Sequence, residues 1–214
     1  MLDIEIFSDV VCPWCFIGKR RLDRVLQGEL GDDVSLRWRP YQLYPNMPPE
    51  GFDRADYLAR RYGPDADLSR APGRITQEAH AEGIDMRYEL IKRMPNTLLA
   101  HQLLEFAHPS GLQHELAEAL FVAYFCVGRD VGELQTLVAI AAEVGLNADE
   151  AAEFLRGNEA VTEVRTQLER APDLGVSGVP GYYLADSFLL PGAQDSDTMA
   201  QIITRVKTKL AGLG

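Results

Sequence analysis

Residues 12–15 of the chain have the sequence Cys12-Pro13-Trp14-Cys15, and this stretch decides the predicted fold. It follows residues 2–7, whose alternating apolar side chains predict a strand. It precedes a stripe of apolar positions over residues 16–26 that predicts an amphipathic helix. Two cysteines at this spacing can close a small disulfide ring. At the start of a helix, unpaired N–H groups and the positive dipole end favour the thiolate of the first cysteine. This is the chemistry of a dithiol–disulfide oxidoreductase.

Zinc binding is the strongest alternative for Cys12 and Cys15, because such a pair also supplies two ligands of a tetrahedral site. A zinc site needs two further ligands, and the sequence offers one more cysteine, Cys126, and four scattered histidines. We therefore predict no metal centre. Cys126 lies in an apolar helical run, which predicts a structural thiol. Its alternative role, as a resolving or regulatory thiol, would require proximity to Cys12.

Composition and charge narrow the class of protein. The 214 residues include 21 basic and 32 acidic side chains, so the net charge of −11 argues against binding to nucleic acid or to an anionic membrane. No apolar stretch approaches the roughly 20 residues of a membrane helix. The N-terminus also lacks a basic segment followed by an apolar signal core. We therefore expect a cytoplasmic protein, in which a single close cysteine pair is catalytic or metal-binding and not a structural disulfide.

The order of predicted elements indicates an α/β domain interrupted by helices. A second strand is predicted over residues 34–39, and a proline-rich connection follows. Residues 53–144 are helical in pattern, with breaks that include Pro64 and Pro72. Further helix starts are predicted at Asn147 and Asn158, followed by two strands and a last helix over residues 196–210. Residues 1–48 and 147–214 are predicted to form the α/β domain. Residues 49–146 are predicted to form the helical insertion.

The segment Gly175-x-x-Gly178-x-x-Gly181 precedes a predicted strand and lacks the lysine of a phosphate-binding loop. The glycines of this segment are better explained by a tight turn that holds Pro180 at the start of the strand than by phosphate binding. An ordinary trans bond is the simplest expectation, whereas a cis bond would expose the backbone of Val179 for pairing with an extended substrate. In the same way, Asn96 is most simply a helix cap, and Asp195 an acidic residue at the start of the last helix.

Two motifs, FSDVVCPWCFIGK at residues 7–19 and GVSGVP at 175–180, closely resemble the DsbA-like thioredoxin family, in particular its FrnE-like cytoplasmic branch. Shorter motifs extend the resemblance over nearly the whole chain: PYQL at 40–43, PNTLLAH at 95–101, GRDV at 128–131 and GAQ at 192–194. The resemblance implies an α/β, thioredoxin-like fold with an inserted helical domain. It also favours a cis bond before Pro180.

Carried over residue by residue, the resemblance implies that Cys12 is the attacking thiol and Cys15 the resolving thiol. Val179 and Pro180 would face the substrate across from them. The residues expected to contact substrate lie next to the cysteines, in this loop, in the helical segment and before the last helix: Pro13, Trp14, Val179, Pro180, Asn96, His101 and Asp195. Some FrnE-like proteins carry a second cysteine pair near the C-terminus, and this sequence has none.

The predicted function is therefore thiol–disulfide exchange on protein or small-molecule disulfides, without a resident cofactor. One alternative is a glutathione-dependent enzyme of the 2-hydroxychromene-2-carboxylate isomerase or kappa glutathione transferase type. Those relatives generally carry serine at the position of Cys12. Glutathione is in any case a candidate co-substrate, with its γ-glutamyl end near Asp195. A second alternative is a noncatalytic peptide-binding or chaperone module. A homodimer is compatible with the resemblance.

Overall fold

A computed structural model describes residues 1–63, 73–157 and 159–212. The predicted breaks at Pro64 and Pro72 and the predicted helix start at Asn158 lie outside these residues. The principal sheet has the strand order β2-β1-β5-β6. Its strands are β1 (Leu2–Ser8), β2 (Val34–Pro40), β5 (Gly181–Leu184) and β6 (Phe188–Pro191). Two further strands form a separate ribbon: β3 (Phe52–Asp53) and β4 (Arg93–Met94).

Helices connect and cover these strands. They are α1 (Pro13–Leu26), α2 (Arg54–Tyr62), α3 (Gly73–Ala81), α4 (Leu98–Ala107), α5 (Gln113–Val122), α6 (Leu134–Glu143), α7 (Ala148–Arg156), α8 (Glu159–Asp173) and α9 (Ser196–Ala211). A π-helical turn, Ala123–Val127, extends α5, and short 3₁₀ turns occupy Glu29–Gly31 and Tyr88–Leu90. The long segment between β2 and β5 thus contributes α2 to α8, which agrees with the predicted α/β fold carrying inserted helices.

Strand β1 brings the cysteine motif of residues 12–15 and the segment of residues 175–180 to the same end of the sheet. It pairs in parallel with β2, so α1 must cross over between the two strands. It pairs antiparallel with β5, and Phe7 lies opposite Gly181. The chain therefore leaves β1 at the same edge at which it enters β5. This register places the loop before α1 beside the loop before β5.

The two faces of the sheet are covered differently. Ile6 and Tyr182 belong to the main core, to which α1 contributes Phe16 and α9 contributes Met199. Phe7 projects to the opposite face and packs in a smaller group that includes residues of α8 and of the segment after it. Because side chains alternate along a strand, the period-2 pattern of β1 assigns each residue to one of these faces.

Local signals account for most helix boundaries. Asn147 Oδ1 accepts hydrogen bonds from the backbone N–H groups of Asp149 and Glu150, as an N-cap should. Asn96 Oδ1 accepts from Leu98 N at 2.9 Å, although α4 begins one residue later than predicted. Among the residues that the structure describes, no helix combines the length and apolar character needed to span a bilayer.

Candidate active site

Cys12 occupies the N-cap position of α1, and its side chain makes no capping hydrogen bond. Pro13 follows in the first turn, where its missing N–H leaves no intrahelical bond unmade. The carbonyl oxygen of Cys12 accepts from Cys15 N at 3.0 Å and from Phe16 N at 3.3 Å. Its Sγ atom is 3.7 Å from the carbonyl oxygen of Val179. The thiol of Cys12 therefore lies between a helix N-terminus and the loop that leads into β5.

Cys15 is the more deeply buried thiol of the pair. It is 1% exposed, compared with 4% for Cys12, and neither forms a disulfide. Burial raises the pKa of the Cys15 thiol well above its ordinary value, and the neighbouring Cys12 adds to this increase. The Ser8 side chain and the Asp9 backbone act in the opposite direction on the same pKa. The two thiols therefore have unequal surroundings, which suits them to different steps of a reaction.

The loop before β5 packs closely on α1 because residue 18 is a glycine. The Val179–Pro180 peptide bond is cis. A Cβ atom at Gly18 would lie 3.2 Å from Pro180 Cγ and 2.3 Å from the hydroxyl oxygen of Tyr182. A larger residue here would displace the Tyr182 side chain and press on Pro180. The sequence analysis did not identify Gly18, although a glycine inside an amphipathic helix often has a packing reason.

Behind the cysteines, Asp9 joins the active-site loop to the segment after β2. Its backbone oxygen accepts from Cys12 N at 2.9 Å, and its Oδ2 accepts from Leu43 N at 2.8 Å. Its Oδ1 lies 3.6 Å from Nε2 of His101 and accepts no hydrogen bond within the described part of the chain. His101 Nε2 is 3.0 Å from the carbonyl oxygen of Tyr41; because a carbonyl only accepts, this nitrogen carries the proton. Asp9 is a further residue that the sequence analysis did not single out.

Pro13 and Trp14 stay half-buried at the start of α1, where a substrate can reach them. The guanidinium of Arg74, at the start of α3, lies 5.4 Å from the centre of the Trp14 ring. This cation–π contact brings the inserted helices next to the cysteine pair.

The other predicted substrate contacts already have partners within the protein. Asn96 donates to the carbonyl oxygen of Met47 at 2.6 Å, and His101 is only 2% exposed. Asp195 caps α9 by accepting from the backbone N–H and the hydroxyl of Thr198, and these bonds lower its pKa. A direct role of these three side chains in substrate binding stays a prediction.

Two open depressions flank the loop of residues 175–181. One, of about 470 Å³, lies between this loop and Tyr41, Gln42 and Pro45. The other, of about 270 Å³, extends along Val179 and Pro180 to the end of β6. Both share the segment 175–177 as a wall, so they adjoin each other. A chain segment in contact with Val179 would occupy the second depression and could continue into the first.

The third cysteine, Cys126, is half-buried in the π-helical turn, and burial raises the pKa of its thiol. Across residues 1–63, 73–157 and 159–212, no group of three or more His, Cys, Asp or Glu side chains is arranged to hold a metal ion.

Comparison with known proteins gives concordant results. The family model of the DSBA-like thioredoxin domain matches residues 3–204. The uncharacterized protein YwbO of Bacillus subtilis is 25% identical over 207 residues, which are 96% of this chain and 98% of that protein. A probable DsbA oxidoreductase from Streptomyces coelicolor has a crystal structure with 27% identity and a TM-score of 0.83, covering 97% of this chain and 91% of that one.

A more distant structure has the same fold. The cytosolic disulfide reductase DsbM of Pseudomonas aeruginosa, solved with glutathione, is 16% identical, with a TM-score of 0.65 and coverage of 99% of this chain and 98% of that one. The match over residues 3–204 spans nearly the whole length, including both motifs that meet at the edge of the sheet. The chain therefore belongs to the DSBA-like thioredoxin domain family, whose general chemistry is that of thiol–disulfide oxidoreductases.

Proposed function

We propose that Cys12 and Cys15 are the redox-active pair of a thiol–disulfide oxidoreductase. The thiolate of Cys12 attacks one sulfur of a substrate disulfide, R–S–S–R′, and releases R′–S⁻. The mixed disulfide between Cys12 and R is then attacked by the thiolate of Cys15, which releases R–S⁻ and leaves the Cys12–Cys15 disulfide. The two released thiolates take up the protons that the two cysteines lose. The oxidised enzyme runs the same steps in reverse.

One observation carries this proposal: Cys12 lies at a helix N-terminus and next to the Val179 carbonyl, with a second, more buried thiol in the first turn of the same helix. Cys12 is the more exposed thiol of the pair and lies beside the Val179 carbonyl, where a substrate disulfide can meet its sulfur. Cys15 is held as a thiol by its burial. This difference supports Cys12 as the attacking residue and Cys15 as the resolving residue.

The substrate class follows from the narrow access to Cys12. Because Cys12 is 4% exposed, a bulky folded surface would reach its sulfur poorly. A small disulfide, or a disulfide on an extended peptide, would fit better. Such a peptide could pair with the backbone of Val179 and occupy the depressions beside it, with Pro13, Trp14 and Pro180 as neighbours. Glutathione belongs to this class, and the similar reductase DsbM was solved with it.

The direction of electron flow depends on the reduction potential of the pair relative to its partner. A difference of about 30 mV corresponds to roughly 1.4 kcal/mol, so small changes around either sulfur select oxidation or reduction. The similarity to a cytosolic reductase supports a cytoplasmic location and net reduction, with glutathione as the small thiol that restores the dithiol.

Cysteine variants test the mechanism on a disulfide-bonded peptide and on oxidised glutathione. We expect Cys12→Ala to abolish turnover. Cys15→Ser should accumulate a mixed disulfide on Cys12, visible as a substrate-sized mass increase that a reductant removes. The matched control is Cys126→Ser, which removes the remaining thiol and should leave turnover intact. Unchanged turnover in Cys12→Ala would refute the proposal.

The same variants separate the two alternatives. Glutathione conjugation or isomerisation that persists in a Cys12→Ala/Cys15→Ala protein would identify a glutathione-dependent enzyme. Peptide binding that ignores both substitutions, without any turnover in the wild type, would identify a noncatalytic binding module.

A further inference from the structure

Two hydroxyl groups lie on the face of the sheet that α1 covers. Ser8 ends β1 and lies two residues beyond Ile6, so the period of the strand turns both side chains to the same face. Ile6 is opposite Tyr182 in the pairing of β1 with β5, and both belong to the core that α1 completes. Ser8 and Tyr182 are therefore diagonal neighbours on the surface against which Cys15 is buried.

Neither hydroxyl has a hydrogen-bond partner among the residues that the structure describes. Ser8 is 4% exposed and Tyr182 is 2% exposed, so bulk solvent does not reach either hydroxyl. Buried polar groups in native proteins are nearly always paired, and an exception needs an explanation. Together with Asp9 Oδ1, these hydroxyls make three unpaired polar atoms beneath the cysteines. For the two donors among them, this suggests an acceptor that forms in another chemical state of the protein.

The sulfur of Cys15 is the acceptor that the geometry offers. Gly18 follows Cys15 by three residues and so lies on the same side of α1, and a Cβ atom there would be 2.3 Å from the Tyr182 hydroxyl. The Ser8 hydroxyl lies near enough to the Cys15 sulfur for hydrogen bonding to lower the pKa of that thiol, although the contact falls short of full hydrogen-bond geometry. Burial, and after it the charge of Cys15, raises the pKa of Tyr182 well above its ordinary value. Both hydroxyls therefore lie within the electrostatic surroundings of Cys15.

We propose that the hydroxyls of Ser8 and Tyr182 donate hydrogen bonds to the Cys15 thiolate while it resolves the mixed disulfide on Cys12. This inference rests on the proposed function, because it concerns the second of its two steps. In the reduced protein Cys15 is a neutral thiol and a poor hydrogen-bond acceptor. The two hydroxyls therefore form no strong hydrogen bond to it in that state. When Cys15 ionises, its sulfur becomes a charged acceptor, and a small rotation of each hydroxyl side chain directs its O–H group to this sulfur.

The chemical balance of the step explains why such donors are needed. While Cys12 is in the mixed disulfide, its thiol no longer raises the pKa of Cys15, but burial still does. The Cys15 thiol must lose its proton, attack Cys12 Sγ and expel R–S⁻, which takes up a proton in turn. Without donors, the negative charge would form in an apolar core, where an ion is poorly solvated. The hydroxyls supply this solvation.

The test separates the two steps with the aromatic disulfide 5,5′-dithiobis(2-nitrobenzoate) as substrate. In a Cys126→Ser background, the first coloured thiolate reports attack by Cys12 and the second reports resolution by Cys15. Tyr182→Phe and Ser8→Ala each remove one hydroxyl, and Ser8→Thr keeps it. The matched control is Tyr183→Phe, whose hydroxyl instead donates to the carbonyl oxygen of Asp186 at 2.7 Å and whose ring lies on the opposite face.

We expect attack by Cys12 to be unchanged and resolution to change with pH in a specific way. Loss of one hydrogen bond to a charged group moves the midpoint of the resolution profile upward by about one pH unit. A less stabilised thiolate is also a stronger nucleophile, so the rate at pH 7 falls about threefold and not tenfold. Near and above the midpoint the variant approaches and then exceeds the wild-type rate. The other titratable or charged groups near the site are unchanged in every variant: Cys12, Arg21, Asp23, Asp9 and His101. Tyr182 itself is replaced only in Tyr182→Phe.

Each outcome has a definite meaning. If the rate of resolution has the wild-type dependence on pH in both Tyr182→Phe and Ser8→Ala, the inference is wrong while the proposed function stands. A uniform slowing at every pH, shared by Tyr183→Phe or not reversed by Ser8→Thr, would indicate loosened packing and would also overturn it. If the wild type releases no second thiolate at any pH, the proposed function itself fails.

Discussion

Two polar clusters flank helix α1, and they differ in how completely they are paired. In the cluster beside α5, the ammonium group of Lys19 lies 2.8 Å from Asp23 Oδ2 and 3.2 Å from Glu118 Oε2. The contact with Glu118 Oε2 is an ion pair without a hydrogen bond. His114 Nε2 is 2.6 Å from the other oxygen of Asp23, and its Nδ1 accepts from the Trp38 indole at 3.1 Å. In the cluster beneath the cysteines, Ser8 Oγ, Asp9 Oδ1 and the Tyr182 hydroxyl have no hydrogen-bond partner in the described structure.

The contrast indicates different roles for polar groups at similar depth. A paired cluster is a stabilising contact, here between α1, α5 and β2. Unpaired buried groups cost stability, and they persist where another chemical state makes use of them. We therefore expect damage to the paired cluster to appear in the free energy of unfolding. Damage to the unpaired cluster should appear in the chemistry of Cys15.

The largest expected effect on stability comes from removing Lys19, whose side chain is 4% exposed. Lys19→Met leaves Asp23 and Glu118 without their shared cation. We expect a loss of about 3 kcal/mol, the low end for breaking a buried ion pair, because His114 and Arg20 still contact the carboxylates. Denaturant unfolding measures this loss, and Lys209→Met on the exposed part of α9 is the control. A loss below about 0.5 kcal/mol, the size of an ordinary surface change, would remove the distinction between the clusters.

The second largest effect on stability is expected from Gly18→Ala, which places a methyl group against the unpaired cluster. Gly18→Ala would ordinarily stabilise a helix, by about 1 kcal/mol. Here the added methyl group meets the Tyr182 hydroxyl and Pro180, so we expect a net destabilisation of about 2 kcal/mol and slower resolution by Cys15. Gly73→Ala at the start of α3 is the control, since no atom of residues 1–63, 73–157 or 159–212 lies within 4 Å of its added Cβ, apart from its own chain neighbours. Equal stability of the two variants in thermal or denaturant unfolding would mean that α1 is not packed as described.

The smallest of the three effects is the pH dependence of Asp23. Burial opposes its ionisation, but hydrogen bonds from His114 and Lys19 outweigh burial and lower its pKa. Because the folded-state pKa lies below the unfolded value of about 3.9, this stabilisation is present above about pH 4. It is lost as the pH falls through the folded-state pKa. The unfolding free energies of wild type and Asp23→Asn should therefore converge on acidification, and a constant difference between pH 7 and pH 3 would contradict the assignment.

Local sequence signals predicted the elements that carry the site. The apolar alternation before Cys12, the proline at the start of α1 and the caps at Asn96 and Asn147 each depend on neighbours a few residues away. For that reason β1, α1 and α7 lie where the patterns indicate, within a residue or two. The ribbon of β3 and β4 was missed, because two-residue strands have no periodicity to detect.

The inner part of the site depended on contacts that no local pattern contains. Tyr182 enters the core that contains Cys15 because of the register between β1 and β5, which joins opposite ends of the chain. Asp9 and His101 meet because α4 packs behind the segment after β2. The resemblance singled out Asn96 and His101 as candidate substrate contacts. In the structure their hydrogen bonds are internal, and the sequence could not distinguish support of a loop from contact with substrate.

A redox titration of the wild-type protein tests the central claim most directly. The protein is equilibrated with mixtures of reduced and oxidised glutathione, quenched with acid, denatured and alkylated, and its mass is measured. We predict a single two-electron transition in which Cys12 and Cys15 become protected from alkylation together, without added mass from glutathione, and which Cys12→Ser abolishes. If both thiols stay alkylated at every ratio, or if Cys12 gains glutathione and Cys15 never resolves it, the pair does not cycle and the account is wrong.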